Sequence, residues 1–168
     1  TIRLGLAYRP PYDWPAMMQA LAARDVDDET VADGVWTRRL RAGIDGTEGA
    51  VRVRPGAPGR AAVEVRIGVL KALPGVLARV RRVFDLAADP EAIARDLSAD
   101  PALGAALAAW PGLRPPGDWI DSHETAPSDR LSSGDATTTA RAERWRPWRA
   151  YGALYWTRTK EQYDGQTA

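Results

Sequence analysis

Ala50–Ile67, AVRVRPGAPGRAAVEVRI, decides the fold. On its first arm Val51 and Val53 alternate with Arg52 and Arg54; on its second, Val63, Val65 and Ile67 alternate with Glu64 and Arg66. Successive side chains of a strand point to opposite faces, so each arm offers one apolar and one charged face. Pro55–Gly59 between them is turn-rich and of hairpin length, as is Gly43–Gly49 before them. The alternation predicts an antiparallel sheet with one covered and one wet face.

Working outward, Val35–Leu40 is a further extended segment, and Ile2–Tyr8 alternates as a first strand. Arg9-Pro10-Pro11 ends that strand, because proline removes a ladder donor and restricts its predecessor. Asp13 suits a helix cap, Pro15 falls in the first turn, and Trp14, Met17, Met18 and Leu21 follow at helical spacing as core positions. One helix covering an antiparallel sheet is an α+β arrangement.

The second half turns helical. Val76, Leu77, Val80, Val83, Phe84 and Leu86 form an apolar stripe, with Arg79, Arg81 and Arg82 off it. Asp89-Pro90 and Asp100-Pro101 each set a cap before a proline, predicting helices over Pro90–Leu97 and Pro101–Trp110. Asp118–Thr139 is polar and aperiodic, as expected of loop or disorder. Helical character returns at Ala140, with Pro147 expected to start the last helix. The domain expectation is an α+β region over 1–72, a helical segment over 73–117, loop over 118–139 and a C-terminal helical segment over 140–160 of a partial all-α region.

With 168 residues, of which 45% are hydrophobic, a packed core is possible. Cysteine is absent, which removes disulfides, thiolate nucleophiles and cysteine-bound zinc. His123 is the only histidine; in a polar stretch it is expected to be a solvated loop residue. Neither a secretory signal nor an apolar run of membrane-spanning length stands out, and a cytoplasmic protein is expected. Thr1 rather than Met opens the chain, as expected of a segment of a longer protein.

Net charge is only +1, but it is unevenly spread. Trp36–Arg82 holds eleven basic residues against three acidic ones, and Asp85–Asp100 reverses the balance. A basic patch can hold phosphates. Arg38, Arg52, Arg54 and Arg66 are the candidate DNA-phosphate contacts, provided they share one sheet face.

Two quoted stretches carry a resemblance. RPPYDW at Arg9–Trp14 with the helix after it, and RAERWRPWRAYGALYW at Arg141–Trp156, resemble opposite ends of the DNA-3-methyladenine glycosylase II family, the AlkA-type alkylpurine DNA glycosylases. RVFDLAADPEAI and PGLRPPG extend the likeness to Gly117, so that it covers about four-fifths of the chain. The resemblance implies an α+β N-terminal domain beside a helical domain, action on double-stranded DNA carrying alkylated bases, no cofactor or metal, and a cytoplasmic, nucleoid-associated monomer. It implies base-excision repair by a monofunctional N-glycosylase: the damaged nucleotide is flipped out and stacked between aromatics while a carboxylate stabilises the cationic sugar.

Carried onto this sequence, APSD at Ala126–Asp129 resembles the motif of the catalytic aspartate, which makes Asp129 the catalytic candidate. Trp156, with its neighbour Tyr155, matches the base-stacking aromatic of the last helix. Ala20 stands where the family's first helix sends a bulky aromatic. The glycine signature of the helix-hairpin-helix, of the PGIGxWTA kind, does not occur. Three readings follow: a shortened glycosylase, a non-catalytic DNA-binding or interaction module, and a deletion remnant. The last would expose an apolar face around Phe84, Trp110 and Trp148.

Overall fold

Five strands pair antiparallel throughout, in the order β1-β5-β4-β3-β2. The computed structural model describes residues 1–120, 127–131 and 136–166. The strands are β1 (Ile2–Ala7), β2 (Glu29–Ala32), β3 (Val35–Leu40), β4 (Gly49–Pro55) and β5 (Arg60–Ile67). The helices are α1 (Trp14–Ala22), the single turn α2 (Ala42–Asp45), α3 (Leu73–Val83), α4 (Pro90–Leu97), α5 (Gly104–Ala109), α6 (Ala136–Ala142) and α7 (Arg149–Gln166). The chain is an α+β protein, as its alternation predicts.

Register explains the two faces of the sheet. Opposed residues share a face, and Val31, Trp36, Val53, Val63 and Leu4 form one continuous cross-strand row. Trp36, Val53 and Val63 in that row are fully buried, as are Val51 and Val65 in the next row of the same face. Phe84, just past α3, meets the Trp36 ring edge-on at 5.4 Å and the Trp14 ring of α1 at 5.7 Å. That aromatic chain joins both helices to the covered face of the sheet. Met17, Leu21, Val76 and Val80 complete the packing, each at most 2% exposed.

β2 was not foreseen from sequence. It is joined to β3 by Asp33-Gly34, with φ of 52° and 70°, the two consecutive left-handed residues that a tight hairpin needs. Asp-Gly between apolar residues is a hairpin signal in its own right.

Two compact units make up the chain. The first comprises Thr1–Pro10, Trp14–Ala88 and Pro116–Ile120, the sheet with α1 and α3. Its closing segment is pinned by the Gly117 amide, which donates to the Val83 carbonyl at 2.9 Å. The second comprises Pro11–Asp13, Asp89–Pro115 and the described residues beyond 120. There Asp89 caps α4 by accepting from the Ala92 amide at 3.2 Å, and Ile93, Leu97, Leu103, Ala106, Trp145 and Tyr151 are buried.

α4 spans the expected residues. The element expected over Pro101–Trp110 is a 3-10 turn at Pro101–Leu103 followed by α5. The polar stretch is not loop throughout: α6 begins at Ala136, four residues before helix was expected. The last helix starts at Arg149 rather than Pro147.

Candidate nucleic-acid interface and site residues

The strand parity that buries valines turns arginines outward. Arg3, Glu64, Arg52, Thr37 and Thr30 form one cross-strand row on the uncovered face. Gly5, Ala62, Arg54, Val35 and Ala32 form the next, and Arg66, Ala50 and Arg39 another. Arg60 has the same parity, and its Nη1 donates to the Gly5 carbonyl at 3.3 Å. Arg3, Arg39, Arg52, Arg54, Arg60 and Arg66 thus share a face with a single carboxylate, Glu64, among the described strand residues.

Arg3 Nε lies 2.9 Å from Glu64, and Arg66 Nε 3.9 Å. The hydrogen bond from Arg3, with the charges of Arg66 and Arg52, holds the Glu64 carboxyl below its ordinary range despite some desolvation. Of the four arginines chosen from sequence, Arg52, Arg54 and Arg66 are exposed on this face.

Arg38 is not among them, which corrects its place in the expected patch. It shares parity with Trp36 and Leu40, is 6% exposed, and faces the covered side. Its Nη1 donates to Glu29 Oε1 at 2.7 Å, and its guanidinium lies 4.9 Å from the Trp119 ring. A guanidinium so enclosed is a structural ion pair rather than a phosphate ligand.

Asp129 is 8% exposed and doubly paired. Its Oδ2 accepts from Arg146 Nη1 at 2.7 Å and its Oδ1 from Arg149 Nε at 2.9 Å. Glu143 completes the cluster, accepting from Arg146 Nε at 2.8 Å and Arg149 Nη1 at 2.9 Å. A carboxylate with both oxygens committed to guanidinium donors has its charge answered by them.

The aromatic candidates are also engaged. Tyr155 is 5% exposed and donates to the Trp110 carbonyl at 3.3 Å; burial pushes its phenol pKa up. Trp156 is half-buried, with the Arg141 guanidinium 4.5 Å and the Lys160 ammonium 5.6 Å from the centre of its ring. Phe84 is fully buried, while Trp110 and Trp148 are half-buried, with Trp148 Nε1 donating to Asp96 at 2.9 Å. His123 lies outside the described residues. Among the described residues no group of three or more His, Asp or Glu could hold a metal ion, and no helix is long and apolar enough to cross a membrane.

Sequence reasoning missed Arg3, Arg39 and Arg60 on the outer face. Their signal was available in strand parity: Arg60 shares that of Arg66 on β5, Arg39 is opposite in parity to Trp36 on β3, and Arg3 alternates with Ile2 and Leu4 on β1.

The chain is similar to known proteins. A probable bifunctional transcriptional activator/DNA repair enzyme AlkA of Mycobacterium tuberculosis (strain CDC 1551 / Oshkosh) is 35% identical over 153 residues, covering 90% of this chain and 30% of that protein. Escherichia coli (strain K12) DNA-3-methyladenine glycosylase 2 is 38% identical over 121 residues, covering 71% of this chain and 40% of that protein. The chain therefore spans less than half the length of these curated relatives. A 3-methyladenine DNA-glycosylase from Archaeoglobus fulgidus superposes with a TM-score of 0.54 at 20% identity, over 67% of this chain and 37% of that one, a likeness of fold. The family model described as the AlkA N-terminal domain matches residues 3–120, so the chain belongs to the AlkA N-terminal domain family.

Proposed function

We propose that this chain serves base-excision repair of alkylated DNA as a DNA-contacting module that does not itself cleave the glycosidic bond. The partition of charge across the sheet carries the proposal: exposed arginines collect on one face while the opposite face is core. Guanidiniums in such rows neutralise backbone phosphates without reading sequence. The relatives named for DNA repair supply the context.

The non-hydrolytic half of the proposal rests on Asp129. An expanding positive charge on the sugar needs a carboxylate aimed at open space. Asp129 instead faces two arginines, and the ring of Trp156 already carries a cation.

The test is fluorescence anisotropy with labelled duplex DNA over a range of salt, beside an abasic-site assay on duplex containing 3-methyladenine or hypoxanthine. Binding should weaken with salt. Replacing Arg52, Arg54 and Arg66 together by Gln should reduce the logarithmic salt slope by roughly 2 to 3. No binding at low salt removes the DNA-contact proposal. Abasic sites that form with the natural chain and vanish in Asp129→Asn would overturn the non-hydrolytic part and make Asp129 catalytic.

A further inference from the structure

The uncovered sheet face is not uniformly basic. A depression of about 190 Å³ opens on it, bordered by Arg3, Arg52, Arg54, Glu64, Val35 and Ala62. Its origin is local: Ala62 carries only a methyl group, and the longer side chains of Arg54 and of the adjacent row, Arg3, Glu64 and Arg52, stand around it. The volume corresponds to about six liquid waters, the size of a nucleobase with part of its sugar.

The lining is mixed in a way that a phosphate surface alone does not need. Glu64 sits between Arg52 and Arg3 in the same row, where a carboxylate opposes any polyanion. Among the described residues it accepts from Arg3 at 2.9 Å and approaches Arg66 at 3.9 Å, which leaves lone pairs for another donor. Val35 and the methyl group of Ala62 add apolar lining. Guanidinium planes pair with phosphate or stack on a base, and a carboxylate accepts from the exocyclic amino group of a base edge. Anion, flat apolar body and amino donor together describe one class of ligand.

We infer that this depression is a binding site for an unpaired nucleotide of DNA, with Arg52 and Arg54 on its phosphate and Glu64 on the amino edge of its base. The inference rests on the proposed DNA contact and adds a preference within it. Single strands should bind better than fully paired duplex, and amino-bearing cytosine better than thymine.

The experiment compares labelled oligodeoxycytidylate, oligodeoxythymidylate and a duplex of equal length at matched salt. The cytosine strand should bind roughly fivefold more tightly than the thymine strand, the worth of about one net hydrogen bond. Ala62→Leu fills the depression and Glu64→Val removes the acceptor; each should abolish the preference while the salt slope persists. Circular dichroism confirms that the variants fold. With the unmodified chain, added deoxycytidine monophosphate should shift the methyl resonances of Val35 and Ala62. Equal binding of all three DNAs, with those resonances unmoved, overturns the nucleotide site and leaves the phosphate contact standing. Failure of every DNA to bind at low salt removes both.

Discussion

The guanidinium of Arg38 and the carboxylate of Glu29 meet at 2.7 Å on the covered face of the sheet, their side chains only 7% and 5% exposed. Glu29 also accepts from Trp36 Nε1 at 3.2 Å. Removing one member of such a pair leaves the other charge desolvated without an answer. Arg38→Met should therefore cost about 3 kcal/mol, seen as a lower urea midpoint. Replacing both, as Glu29→Val with Arg38→Met, should recover much of that loss. DNA affinity should be unchanged in either folded variant, because the guanidinium never reaches the outer face. Normal stability with lost DNA binding would put Arg38 back among the phosphate ligands.

Strand parity made most of the sheet legible. Val51 and Val53 against Arg52 and Arg54 is enough to orient β4, and Val63 and Val65 orient β5. Applied consistently, the same parity groups Arg38 with Trp36 and Leu40 and exposes Arg39. Residue type outweighed position there, since a buried arginine is rare unless paired, and its partner, nine residues earlier on β2, had not been foreseen. The candidate site was less legible. Asp129 lies in a polar stretch that promises solvent, yet it is closed over by Arg146 and Arg149, 17 and 20 residues further on. Trp119, at the edge of the same stretch, is buried, and Asp45, 74 residues away, accepts from its indole at 2.7 Å. Tertiary partners of this kind leave no local periodicity to detect.

Asp100 is a buried carboxylate of the second unit. Its Oδ1 accepts from the Ala102 amide at 3.1 Å, and its Oδ2 from Trp145 Nε1 at 2.9 Å; Arg141 Nη2 reaches both oxygens, at 3.1 and 3.2 Å. Burial favours the neutral acid, but these donors and the Arg141 charge outweigh it and hold the pKa below its ordinary 3.8. A folded-state pKa below the unfolded one stabilises the fold above the unfolded value, and that stabilisation disappears as pH falls through the folded value. Asp100→Asn should therefore be less stable than the natural chain by about 2 kcal/mol near neutral pH. The gap should narrow below the ordinary carboxylate range. Urea midpoints of both proteins, measured from neutral pH downward, check this; a gap that stays constant into strong acid contradicts it.

Two helical glycines should respond to the same substitution with opposite sign. A Cβ on Gly152 of α7 would come within 2.4 Å of the Trp145 ring. That ring cannot easily withdraw, since it is 1% exposed and its Nε1 is anchored to Asp100. Alanine gains about 1 kcal/mol of helix propensity over glycine, while overpacking a filled core costs typically 1–3 kcal/mol and more when the obstructing group is fixed. Gly152→Ala should thus lose about 2 kcal/mol net. Gly75 of α3 is exposed, and an added Cβ there meets nothing within 4 Å. Gly75→Ala should keep the propensity gain and stabilise by about 0.5 to 1 kcal/mol. Thermal and urea unfolding of the two variants beside the parent decides the matter. If Gly152→Ala proves as stable as the parent, the Trp145 ring has room to move, and the close packing of α7 on that ring is not what fixes it.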